Sequence, residues 1–128
     1  MECSWSQLQQ NLHDAIGTAV IYKVEDSKLL PLLYTKDAPR FSGLSEEEYL
    51  QLYGQDTLPV VAKGDLAHLL QIIGEVLAGK GSRAITYRTY HKTRGFVWTH
   101  VILRLLGTFQ KLPVLIGTFT NVSDTISA

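Results

Sequence analysis

The stretch from Ser82 to Ser123 limits what this chain can fold into more than any other. It reads as three consecutive strands, Ala84–Lys92, Phe96–Leu106 and Leu112–Asn121, each rich in β-branched and aromatic residues. Breaks at Thr93-Arg94-Gly95 and around Gly107 to Lys111 make two successive antiparallel hairpins the economical connection. In the middle strand one face carries Val97, Thr99, Val101, Leu103 and Leu105. The other carries Phe96, Trp98, His100, Ile102, Arg104 and Leu106. Neither face is cleanly polar, so one must pack on the chain's own helices and the other needs at least partial cover.

The preceding residues supply both layers. Ser4 or Ser6 caps a helix that runs to about Ile16, where Gly17 stops it; Trp5, Leu8, Leu12 and Ile16 form its apolar stripe. That stripe is expected to serve as a lid on the sheet or as the contact of a homodimer. Thr18–Val24 and Leu29–Tyr34 read as two further strands around a turn at Glu25 to Lys28, with Pro31 marking an edge or a bulge. Ser45 opens a helix with Tyr49, Leu50, Leu52 and Tyr53 inward, and Glu46 to Glu48 suit its N-terminal dipole. Asp65 caps a long helix whose apolar face is Leu66, Leu69, Leu70, Ile73, Val76 and Leu77, closed by Gly79. The expected fold is α+β: a five-stranded antiparallel sheet with a helical connection on one face and an N-terminal amphipathic helix. Residues 1–17 form the flanking helix, 18–124 the domain proper, and 125–128 the start of a linker.

Composition excludes several classes. A chain of 128 residues is one domain with an ordinary apolar share of 45%. It has no apolar run of about 20 residues and no secretion-signal layout, so a cytosolic setting without a membrane partner is expected. Cys3 is the only cysteine, which rules out an internal disulfide or a cysteine cluster. Net charge is zero, yet residues 1–64 hold nine acids and five bases while residues 65–128 hold three acids and seven bases. A pI of 6.9 argues against a nucleic-acid partner. The alternation of Tyr87, Tyr90, Phe96 and Trp98 with Arg88, Lys92 and Arg94 therefore reads as a half-covered sheet with basic edges, not a base-stacking platform.

Three motifs in order resemble the PAS sensory-domain family, in particular the bacterial type found upstream of histidine kinases and cyclic-dinucleotide enzymes. Phe41-Ser42-Gly43-Leu44-Ser45 with Glu47-Glu48-Tyr49 is similar to the connection after the family's second strand. Tyr87-Arg88, Lys92 and Phe96-Val97-Trp98 resemble its Y-R … K-D-G hairpin, and Ile116-Gly117 with Asn121-Val122-Ser123 stands where the family has I-G … Asp-Ile-Thr. Ala62-Lys63-Gly64-Asp65 replaces the usual His-Pro-Asp-Asp, and the turn's glycine is displaced to Gly95. The resemblance implies a sensory or regulatory domain that binds a small molecule or dimerises and passes a signal to a covalently linked output domain. The exit would lie at Asn121, Ser123 and Asp124.

Catalysis finds no support. Ser82 to Ser123 contains no Asp or Glu, and His91 and His100 have no third ligand or nucleophile spaced to join them, so no catalytic residue and no metal site is assigned. Some PAS domains hold haem through a histidine on the long helix, but His68 falls off the apolar face here. The cysteine adduct of light-sensing flavin relatives needs a cysteine that the helical connection lacks. No cofactor is required. Two readings remain: a ligand cavity lined by Tyr22, Tyr34, Phe41 and Tyr87 with Leu52, Leu69 and Ile73, or a filled core in a purely structural dimeriser.

Overall fold

The structure, a computed structural model, describes residues 1–123. Helix α1 (Trp5–Asp14) precedes strands β1 (Thr18–Glu25) and β2 (Lys28–Tyr34); α2 (Ala38–Phe41), α3 (Glu46–Tyr53) and α4 (Lys63–Leu77) follow, with a short 3-10 turn at Leu58–Val60. Strands β3 (Arg83–His91), β4 (Gly95–Phe109) and β5 (Leu112–Asn121) complete one antiparallel sheet in the order β2-β1-β5-β4-β3. The five strands and the two hairpins after Ser82 stand as the sequence predicts. No described helix is long and apolar enough to cross a membrane.

β5 lies at the centre, with Val114 and Leu115 fully buried on opposite faces. Two hairpins close on two-residue turns whose central residues have positive φ: Asp26 and Ser27 at 51° and 62°, and Gln110 and Lys111 at 51° and 68°. Such turns match the right-handed twist of the strands they join. The second turn falls within the expected break around Gly107 to Lys111 and narrows it to its last two residues. β4 continues to Phe109, and Gly107 is a bulge at which the pairing with β5 shifts register. Its φ of 138° and its neighbours both demand glycine, since a Cβ would stand 2.3 Å from the Met1 carbonyl oxygen. That close approach lets the N-terminal segment join β4: Thr108 N–H donates to Met1 O at 2.8 Å and Cys3 N–H to Thr108 O at 2.6 Å. Pro31 lies on edge strand β2 and borders a bulge, because the partner of β1 jumps from Leu33 to Pro31 between Ile21 and Tyr22.

The inner face of the sheet packs on α4 through Val20, Tyr22, Ile85, Tyr87, Val101, Leu103 and Leu115 against Leu69, Ile73 and Val76. Two expected apolar faces are rotated. Ile72 is buried while Leu70 is exposed on α4, and Leu50 and Leu52 point outward on α3, leaving Tyr49 and Tyr53 as its buried pair. Asp65 does not cap α4. The cap position is Ala62, and the Asp65 carboxylate turns across to edge strand β3, accepting from Arg88 N–H at 2.7 Å, Nε at 3.0 Å and Nη2 at 3.2 Å. Ala62 N–H donates to Arg88 O at 2.9 Å and Val61 bridges Thr89, so the start of α4 covers the β3 edge. At the other edge Leu29 donates to Asp56 at 3.0 Å and accepts from Thr57 N–H at 2.9 Å.

The outer face is covered at one end by α1. Ser4 and Gln7 form the expected capping box, but the helix ends at Asp14. Leu8 is fully buried among Cys3, Ala19, Ile21, Val114 and Ile116, with Leu12 packed at the margin. This corrects the expected dimer contact: Leu8 and Leu12 cover their own sheet. Trp5 stays 42% exposed beside Phe109, and Ile16, past the helix end, is 93% exposed. On the uncovered half Phe96 is 54% and Ile102 46% exposed, and Trp98 lies under the Arg88 guanidinium at 5.3 Å.

Two outcomes test this arrangement. Leu8→Ala should lower unfolding free energy by about 2–4 kcal/mol in denaturant titrations, with no dependence on protein concentration; a concentration-dependent loss would place Leu8 between copies. Hydrogen bonds from Arg88 and Lys92 hold the Asp65 and Glu48 carboxyls below their ordinary values, Glu48 to about 2. Carboxyls depressed by folding stabilise above their unfolded pKa, roughly 4, and lose that contribution as pH falls through the folded value. Tm should therefore hold from pH 7 to about 5 and fall below about 4. Asp65→Asn should flatten that fall, and an unchanged acid limb would show the Asp65 contact to be without weight.

Candidate functional site

Between the inner face of the sheet and the helical connection lies a cavity of about 30 Å³, lined by Tyr22, Tyr49, Tyr53, Thr57, Tyr87 and Thr89, with Phe41, Ser42 and Phe119 among its other walls. A smaller adjoining space touches Leu69 and Ile73 and shares Tyr22, Thr57 and Tyr87. β1 contributes Tyr22, β3 contributes Tyr87 and Thr89, and α3 contributes Tyr49 and Tyr53 one helical turn apart, their rings stacked at 4.6 Å.

The polar atoms are unequally satisfied. Tyr53 Oη and Ser42 Oγ share a hydrogen bond of 2.8 Å. Thr57 is buried, and among the described residues its hydroxyl is the one buried side-chain polar atom without a hydrogen-bond partner. Burial pushes the phenols of Tyr22, Tyr49, Tyr53 and Tyr87 up from their ordinary values, most simply because a phenolate there would lose its water. For Tyr22 the nearby Thr57 hydroxyl, which does not reach hydrogen-bond geometry with it, offsets part of that effect. The walls carry hydroxyls and rings but no carboxylate, ammonium, imidazole or thiol. Such a lining can bind and orient a neutral molecule. It offers no general base or nucleophile at neutral pH.

Of the seven residues expected around a ligand, Tyr22, Phe41 and Tyr87 line the cavity and Leu69 and Ile73 the adjoining space. Leu52 does not belong: it is 44% exposed and faces a surface groove with Leu44, Glu48 and Tyr90. Tyr34 stands outside the cavity lining, its ring tilted by 57° against Tyr49 at 4.9 Å and its hydroxyl donating to Glu46 at 3.0 Å. Tyr49 and Tyr53, expected inward on α3 but not around a ligand, and Thr57, not singled out by the sequence, complete the lining. The spacing of Tyr49 and Tyr53 was a usable signal; the inward turn of Thr57 was not readable locally.

The helical connection is latched to the β3–β4 hairpin by Lys92, which donates its backbone N–H to Ser42 O at 2.9 Å and its ammonium to Glu48. Gly43, with φ of 71°, lets the His91 ring approach to where a Cβ would meet it at 2.8 Å. At the exit of β5, Ser123 Oγ accepts from Trp98 N–H at 2.8 Å and Asn121 Oδ1 accepts from Ser123 N–H at 3.0 Å. Asp124, the third residue expected there, lies outside the described residues. His68 is exposed on α4, so it does not face the cavity.

No family model matches the sequence, and no curated protein matches it either. Solved structures do. The PAS domain of a protein from Colwellia psychrerythraea superposes with a TM-score of 0.67 at 16% identity, covering 93% of this chain and 97% of that one. The N-terminal domain of a diguanylate cyclase with PAS/PAC sensor from Marinobacter aquaeolei gives 0.62 at 13% identity over 85% and 99%. The PAS domain of the fruit-fly ELK potassium channel gives 0.64 at 10% identity over 94% and 99%. At these identities the likeness is one of shape, and what it establishes, together with the strand order and the helical connection, is that this chain folds as a PAS domain.

Proposed function

We propose that the chain is a sensory or regulatory domain that takes an input at the tyrosine-lined cavity and hands it on through the end of β5 to a covalently linked output domain. The observation that carries this reading is the buried Thr57 hydroxyl, left without a partner at the wall of a cavity that otherwise holds satisfied or neutral groups. Buried polar groups without partners are rare and are commonly met by a water or a ligand. The regulatory role is supported by the company the fold keeps, since the similar domains belong to a cyclase with a PAS/PAC sensor and to an ion channel. Coupling has a physical route: Tyr87 on β3 lies one residue from Arg88, Arg88 pairs with Trp98 across the β3–β4 ladder, and Trp98 binds Ser123. A ligand shifts such a system only by binding its two arrangements unequally.

A second reading, a homodimerisation module, is favoured by the uncovered half of the outer face, where Phe96 and Ile102 are exposed beside Trp98. It makes the sheet face, not the α1 stripe, the contact between copies.

Tyr22→Phe removes one cavity hydroxyl while keeping its shape, and should change the amide exchange rates of Trp98 and Val122 at the exit. Unaltered rates would mean that cavity and exit are not coupled, which defeats the sensory reading. For the second reading, sedimentation velocity should show a dimer that Ile102→Glu dissociates; a monomer at all concentrations removes it.

A further inference from the structure

We infer that the cavity is selective for small uncharged molecules that both donate and accept hydrogen bonds, with Thr57 as the residue that sets this preference; the inference rests on the sensory reading above. The local sequence explains why Thr57 is available. It occupies the N-cap position of the Leu58–Val60 turn, where a threonine hydroxyl ordinarily accepts from a backbone N–H two or three residues on. Here Pro59, two residues on, has no N–H to give, and Val60 N–H, three on, donates to the Thr57 carbonyl oxygen at 3.3 Å. The hydroxyl is thereby released from the cap. The residue is only 8% exposed, and the oxygen is left without a partner at the cavity wall.

Size and charge then narrow the occupant. A volume of 30 Å³ holds one or two waters, or about two to four non-hydrogen atoms with modest side-chain adjustment. A haem or flavin would need the helices to part from the sheet. No charged side chain lines the space, so an ion would enter without a counter-charge and lose its hydration. The neutral phenols of Tyr22 and Tyr87 can each donate or accept, as can Thr57, so the wall suits a hydroxyl or a carbonyl on a short carbon frame. A molecule so small has a ceiling on affinity on the order of tens of micromolar, which dilution during purification would defeat.

The test is a titration of the full chain followed by amide chemical shifts, with ethylene glycol, acetate and methylammonium as probes. Ethylene glycol and acetate have the same carbon and oxygen count and differ in charge. The inference expects saturable shifts from ethylene glycol at Tyr22, Thr57 and Tyr87, and none there from either ion. In Thr57→Val the ethylene glycol affinity should fall about tenfold, the share of one hydrogen bond. The inference also expects water to meet the hydroxyl in the free protein, so the melting temperature should fall as well. Should Thr57→Val prove unstable, Tyr22→Phe reads the same loss of a cavity hydroxyl. Acetate binding as well as ethylene glycol would overturn the selectivity while leaving the sensory reading in place. No saturable shift from any probe, with a higher melting temperature for Thr57→Val, would mean a dry core with an orphaned hydroxyl, and would overturn both.

Discussion

Burial of β5 on both faces is the constraint from which the remaining structure follows. Val114 and Leu115 point to opposite sides and are both fully enclosed, so the strand cannot exist with a solvated face. One layer, led by α4, answers the side of Leu115; α1 and the N-terminal segment answer the side of Val114. Because α1 reaches only one end, the far half of the outer face stays open at Phe96 and Ile102. Two-sided burial at the centre and one-sided burial at β3 and β4 thus explain why the sheet has one sealed face and one divided face.

Much of this was legible in the sequence because it depends on periodicity. Alternation in β4, the β-branched run of β5, the Ser45 capping box and the edge position of Pro31 are local signals, and each stands where it was expected. The failures share a cause. Gly107 looked like a turn because its need for positive φ is local, whereas the reason for that need, the Met1 carbonyl, comes from more than a hundred residues away. Asp65 looked like a cap because helix starts favour aspartate, but a guanidinium and a backbone N–H on β3 outbid the helix's own amides. Leu50, Leu52 and Leu70 read as inward from the apolar pattern of their helices, whereas the actual faces are set by tertiary contacts.

The site followed the same division. Tyr22, Phe41 and Tyr87 were identifiable from strand position and resemblance. Thr57 was not, since its uncapped hydroxyl arises from three neighbours acting together: a proline that lacks an amide, a Val60 amide turned to the threonine's own carbonyl at 3.3 Å, and a leucine carbonyl that fixes the threonine backbone at 2.9 Å. A cavity wall formed by a displaced capping residue is invisible to motif reading.

The covered edges of the sheet have a further consequence. β2 presents a proline and an aspartate-bound amide at its outer side, and β3 has Arg88 and Thr89 occupied by the start of α4. An unpaired strand edge is a template for other strands, and here both templates are interrupted in the middle. Both edges are therefore poor templates for strand-to-strand polymerisation even where the aromatic face is bare, and a contact between copies would have to use side chains on the sheet's flat surface, where it could stop at a defined number of chains.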